Sequence, residues 1–147
     1  MKIFIYLSLF FSVSLLNAQS VNVTLMVDMQ NETVSSDVYV AGSFNGWSPN
    51  IMSDVDGDQV YEVTLNLSAN SGHEYKFING STWENNLSGS CANNFGGGPN
   101  RWLSVGTINQ VEPAYQFGSC NILVFYGCTD SLANNFNPNA TNDDGSC

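Results

Sequence analysis

The residues able to do chemistry fall in three short motifs: Gly42-Ser43-Phe44-Asn45-Gly46-Trp47, Glu74-Tyr75-Lys76-Phe77 and Trp83-Glu84-Asn85. Two indoles and a lysine suit a ligand with a flat apolar face and a hydroxyl-rich edge. The axial C–H groups of a pyranose ring lie against an indole, its hydroxyls reach a cation at the rim, and two angled indoles follow a curved chain of such rings. Trp47 follows Asn45-Gly46 and precedes Ser48-Pro49-Asn50, a turn context that exposes a large side chain. Lys76 lies between Tyr75 and Phe77, so strand alternation points it to the opposite face from both. Trp102 adjoins an apolar strand and is expected in the core, and Arg101 is expected to pair with an acid such as Glu84.

The elements that must position these groups read as strands. Apolar residues alternate over Val21–Val27, Val38–Val40, Val60–Leu67 and Tyr75–Ile78, and further candidates run over Arg101–Val105 and Tyr115–Val124. Between them lie Asp54-Val55-Asp56-Gly57-Asp58 and Ser68-Ala69-Asn70-Ser71-Gly72, the composition of short turns. No segment holds a 3.6-residue apolar period. The fold expected is all-β, a two-sheet antiparallel sandwich over 21–124, with a small disulfide-closed appendage over 127–147.

Positive charge is scarce. Lys and Arg together number 3 against 13 acids, for a formal charge of −10, which disfavours nucleic acid and anionic membrane surfaces as partners. Residues 1–18 read as a secretory signal peptide: Lys2, an apolar run from Ile3 to Leu16, then Asn17-Ala18-Gln19 as the cleavage region. Removing the leader would leave Lys76 and Arg101 as the only cations, both in or beside the motifs. No second apolar stretch is long enough to span a bilayer, so the cleaved product is expected outside the membrane: secreted, periplasmic or at the cell surface. Four cysteines in an oxidising compartment, with no Cys-x-x-Cys pair, point to disulfides. Of the three pairings, Cys91–Cys120 with Cys128–Cys147 keeps each module self-contained.

Together the motifs reach a resemblance. Val38-Tyr39-Val40-Ala41-Gly42-Ser43-Phe44-Asn45-Gly46-Trp47, then Gly57-Asp58 with Val60-Tyr61-Glu62-Val63, Tyr75-Lys76-Phe77 and Trp83-Glu84-Asn85, resembles the starch- and glycogen-binding modules. These are carbohydrate-binding-module families 20 and 48, including the glycogen-binding domain of AMP-activated kinase. The resemblance spans Val21 to Asn121 and implies an immunoglobulin-like sandwich holding an α-glucan without catalysis. It implies Trp47 and Trp83 as stacking platforms and Lys76 and Asn100 as polar contacts. Where the family follows Trp-Glu closely with Asn-Arg, this chain inserts the glycine-rich Asn86–Pro99, carrying Cys91.

Two acidic segments suggest calcium. Asp54-x-Asp56-Gly57-Asp58 has the ligand spacing that opens a calcium loop, but the later bidentate Glu is missing and Asp-Gly is a common hairpin turn, so the turn is the preferred reading. The tail resembles a short Cys-Thr-Asp to Asp-Asp-Gly-Ser-Cys module of secreted bacterial proteins. It has too few apolar residues for its own core, which leaves the disulfide and a calcium ion held by Asp130, Asp143 and Asp144 as its means of order.

Enzyme chemistry finds little to work with. His73 is the only histidine, no Gly-x-Ser-x-Gly elbow occurs, and no Cys/His set suits zinc. The chain is therefore expected to be a non-enzymatic polysaccharide binder, accompanied by a partner enzyme or by further modules of a longer protein. The alternative is an adhesive or spacer sandwich of a surface protein, in which Trp47 and Trp83 would pack against protein.

Overall fold

The computed structural model describes residues 19–85, 87–93, 98–137 and 140–147. The leader expected over 1–18 lies outside them, as do residues 86 and 94–97 of the glycine-rich insertion.

Two sheets face one another. In the first, β1 (Ser20–Asp28) lies between β4 (Val60–Ser68) and β9 (Gln110–Gln116). The second runs β3 (Asn50–Ile51), β2 (Val38–Gly42), β5 (Gly72–Asn79), β8 (Asn100–Ser104), β7 (Ala92–Asn93), with β6 (Thr82–Trp83) also beside β5. The period-2 pattern sets which face goes inward. Val21, Val23, Leu25 and Val27 of β1 are buried against Val38 and Val40 of β2, Tyr75 and Phe77 of β5 and Leu103 of β8. Each such side chain contributes about 1.5–3 kcal/mol by leaving water.

Within the two facing sheets the described strands pair antiparallel except β1 and β9, which run parallel. Their register slips between Thr24 and Met26, where Val111 and Ala114 are the partners. Pro113 sits inside that slip. A residue without an N–H is tolerated there because the ladder is already broken and β9 is an edge strand. The strand expected over Tyr115–Val124 therefore falls earlier: the chain turns at Gly118, where φ is +68°, and returns only as a single bridge from Tyr115 to Ile122.

The disulfides join Cys91, ahead of β7, to Cys120, just after β9, and Cys128 to Cys147 in the tail. In the tail β10 (Tyr126–Gly127) and β11 (Asn142–Asp143) pair in parallel. Apart from Cys128 the tail buries little: Leu132 and Phe136 are exposed. Among the described residues no helix is long and apolar enough to cross a membrane.

Candidate functional site

The outer face of the second sheet carries the motifs. Tyr75 and Phe77 turn inward, so Glu74, Lys76 and Ile78 turn outward on β5. Directly paired residues share a face, which brings out Trp83 opposite Ile78, Trp102 opposite Glu74 and Ala41 opposite Lys76. Asn100, one step beyond the Tyr75–Arg101 pair, comes level with Lys76.

Trp47 reaches this face through a strained loop. A 3-10 turn, Ser43–Asn45, follows β2, and the Asn45 carboxamide accepts the Gly42 N–H at 3.0 Å. Two left-handed residues follow, Gly46 with φ +64° and Trp47 with φ +63°, while the Trp47 N–H returns to the Gly42 carbonyl at 2.9 Å. For a non-glycine residue that conformation costs about 1–2 kcal/mol, and such strain concentrates at functional positions. It lays the Trp47 indole beside that of Trp83, with ring centroids 6.3 Å apart and planes tilted by 44°. The two are 36% and 40% exposed, so together they form an open, angled aromatic surface.

The polar members are held more tightly. The Lys76 ammonium donates to the Glu84 carbonyl at 3.2 Å, and the Asn100 amide donates to Glu74 Oε2 at 3.3 Å. Lys76 is half-buried and Asn100 is buried. Trp47, Lys76, Trp83 and Asn100, widely spaced in sequence, thus lie on one face. The indoles are open, and the cation and the amide are braced by hydrogen bonds to Glu84 and Glu74.

Behind this face sits an ion pair at full burial. Glu84 takes the Arg101 guanidinium through both carboxylate oxygens, Oε1 from Nε and Oε2 from Nη2, each at 2.8 Å. Glu84 Oε1 also accepts the Phe77 N–H at 2.9 Å and Oε2 the Gly118 N–H at 3.2 Å. Arg101 Nη2 reaches the carbonyls of Gln116 and Ser119, and its guanidinium lies 4.9 Å from the Phe77 ring centre and 5.0 Å from that of Tyr115. Bidentate geometry and satisfied neighbours are what make a desolvated pair tolerable. The expected pairing of Arg101 with Glu84 is present, but inside the protein rather than at its surface.

That placement overturns the expectation for Trp102. With Arg101 and Leu103 inside, alternation sends Trp102 outward, where it is 48% exposed instead of core. The sequence signal for this was the Arg101-Trp102-Leu103 order. It was readable only once the charged residue, not the aromatic one, was assigned to the interior.

His73 also points inward, at the open end of the sheet. Its ring nitrogens meet Ser43 Oγ at 3.2 Å and Ser71 Oγ at 2.9 Å, and desolvation pulls its pKa below the ordinary value. Among the described residues no acid pairs with it.

The tail carboxylates make local turns. Asp130 accepts from Leu132 N, Asp143 from Gly145 N and Asp144 from Ser146 N, each two residues ahead. Among the described residues, the three acids whose oxygens gather, within 4.8 Å, are Asp54, Asp56 and Asp58, not those of the tail. There too the loop uses its own carboxylates: Asp54 accepts from Gly57 N and Gln59 N, and Asp58 from Val60 N. On the far side of the molecule a groove of about 1000 Å³ runs over Thr24, Met26, Thr64 and Ala114 toward Phe125. Neither tryptophan nor cation lines it.

No curated protein matches the chain. Among solved structures, the glycoside hydrolase family 15 glucoamylase from Hypocrea jecorina aligns over 67% of this chain and 17% of its own, at 26% identity and a TM-score of 0.49. The gamma-CGTase from alkalophilic Bacillus clarkii aligns over 67% and 15%, at 19% identity and a TM-score of 0.43. The CBM25-2 module of the beta/alpha-amylase from Paenibacillus polymyxa aligns over 61% and 79%, at 18% identity and a TM-score of 0.39. The chain thus spans under a fifth of the length of the first two. The family model of the glycogen recognition site of AMP-activated protein kinase matches residues 25–111, more than half of the chain and all four of Trp47, Lys76, Trp83 and Asn100. The chain belongs to the family of the glycogen recognition site of AMP-activated protein kinase.

Proposed function

We propose that this chain is an exported, non-catalytic module that holds α-glucan, of the starch or glycogen kind, on the outer face of its second sheet. The observation that carries this is the Trp47–Trp83 pair: two open indoles with centroids 6.3 Å apart and planes at 44°. Coplanar or angled exposure on one face suits successive sugar rings of a curved chain, whereas a spacer would bury both rings against protein. Lys76 and Asn100, on the same face, would donate to hydroxyls at the sugar's edge. Family membership supports a glucan as the ligand.

Export rests on the leader read over 1–18 and agrees with two disulfides, which persist in oxidising compartments. The working organisation is a leader over 1–18, the binding sandwich over 21–124 and a Cys-bounded module over 127–147, delivered beside a partner enzyme or further modules. The calcium expected at Asp130, Asp143 and Asp144 is not part of this proposal, since each of these carboxylates accepts a backbone N–H two residues ahead and the three do not gather.

An open site of this kind binds weakly, with dissociation constants on the order of 10 µM to 1 mM. The test is affinity electrophoresis of the folded, oxidised chain in gels with and without glycogen or amylopectin, beside Trp47→Ala and Trp83→Ala. Retardation of the wild type that both variants lose is the expected result. A folded wild type that migrates unretarded on every α-glucan would leave the adhesive or spacer sandwich as the better account.

A further inference from the structure

The buried Glu84–Arg101 pair has an indole next to each of its members in sequence: Trp83 precedes Glu84, and Trp102 follows Arg101. In both dipeptides the charged side chain goes inward and the indole comes out. One internal clamp therefore sets the position of two exposed tryptophans on the same outer face.

Register gives their spacing. Trp83 pairs with Ile78 and Trp102 with Glu74, and β6 and β8 follow one another along the same flank of β5. Four residues of strand separate the two levels, about 13 Å at about 3.3 Å per residue. Between them, at the level of Lys76, lies Asn100. The sequence of groups along this flank is indole, amide beside a lysine, indole.

Trp102 is also held as a platform. Its indole N–H donates to Ser104 Oγ at 3.0 Å, which fixes the ring. The ring lies against Gly72, where a β-carbon would collide with Trp102 Cζ2 and Cη2. Glycine at that position lets the indole lie down on the sheet and present its other side to water, where it is 48% exposed. An aromatic ring locked in this way loses little further entropy on binding.

We infer that Trp102 is a third stacking platform, which extends the glucan site along β8 and makes it select long chains over short ones. This rests on the α-glucan reading of Trp47 and Trp83, and commits to a continuation of the same polysaccharide as the occupant. A short oligosaccharide covers the Trp47–Trp83 pair alone. A longer one runs past Asn100 and reaches Trp102.

The experiment is titration of the oxidised full-length chain with malto-oligosaccharides of increasing length, and with glycogen, beside Trp102→Ala and Trp102→Phe. Wild-type affinity should rise once the chain is long enough to bridge the platforms. Trp102→Ala should lose about 3- to 10-fold on long chains and nothing on short ones, the size of one aromatic stacking contact. Trp102→Phe should recover part of the loss. Indole N–H resonances of the wild type supply a readout that needs no folded variant: short sugars should move those of Trp47 and Trp83, and long sugars all three. If long sugars move only Trp47 and Trp83, or if Trp102→Ala weakens short and long chains alike, Trp102 merely covers Gly72 and the inference is overturned while the glucan site stands. If no sugar moves any indole, both readings fall together.

Discussion

Arg101 and Trp102 are neighbours on β8 and face opposite ways, and the exchange of places between them is the main lesson of the second sheet. The charged side chain is fully buried and the large aromatic one is half open. Inside, Arg101 costs desolvation and is retained because Glu84, two backbone carbonyls and two aromatic rings receive it. Outside, Trp47, Trp83 and Trp102 forgo burial that would stabilise a core. The inner face is organised for stability and the outer one for contact, and the two touch at Trp83-Glu84 and Arg101-Trp102.

The largest test of this contrast is Arg101→Ala. It leaves Glu84 buried without its cation and should cost about 3–5 kcal/mol of stability, read as a lowered midpoint in denaturant unfolding. Glu84→Leu together with Arg101→Met should restore most of it, since neither charge is then stranded. If Arg101→Ala is neutral, the pair is not the clamp described here.

Replacing Cys91 and Cys120 together by Ser acts on the same inner framework. That bridge closes a sequence separation of 29 residues, so its removal should cost about 3.6 kcal/mol in the chain-entropy model. Denaturant unfolding of the double variant beside the wild type, both oxidised so that Cys128–Cys147 stays closed, would measure it.

On the outer face the expected signs change. Trp47→Gly should leave stability within about 1 kcal/mol of wild type, because glycine relieves a left-handed backbone that costs about 1–2 kcal/mol and thereby offsets the lost contact with Trp83. Retardation on glycogen gels should nevertheless disappear. A large loss of stability would mean that Trp47 belongs to the core economy after all.

His73 gives the smallest effect. It faces inward like Arg101 but its hydrogen bonds, among the described residues, are to hydroxyls, with the Phe44 ring edge-on beside it, and desolvation lowers its pKa from 6.5. A lowered folded-state pKa means that the unfolded chain binds the proton more readily. The contribution is therefore complete above about 6.5 and declines as the pH falls through 6.5 toward the folded value. His73→Gln should flatten that part of the stability profile.

Much of this was legible in advance. The alternation of Val21–Val27 and Val60–Leu67 dictates strands with one buried face, because a period of 2 permits no other packing. Asn45-Gly46 before Trp47 marked a turn that would lift the indole outward, and the Tyr75-Lys76-Phe77 order sent Lys76 to the outer face. The β9 strand was harder to see, since Pro113 breaks its pattern and only a register slip against β1 makes room for a proline there.

By itself the sequence determined the all-β class, which follows from local alternation and turn chemistry, and it carried the motifs whose resemblance to the glycogen-binding modules implied Trp47, Lys76, Trp83 and Asn100 as one group. Only the tertiary structure decided that Arg101 is an interior residue, because that depends on Glu84, seventeen positions away and just past the end of β6, arriving to neutralise it. Trp102 moved from core to surface as a consequence. Alternation fixes which residues of a strand oppose each other, but which face is inside is set by the partners that other strands bring.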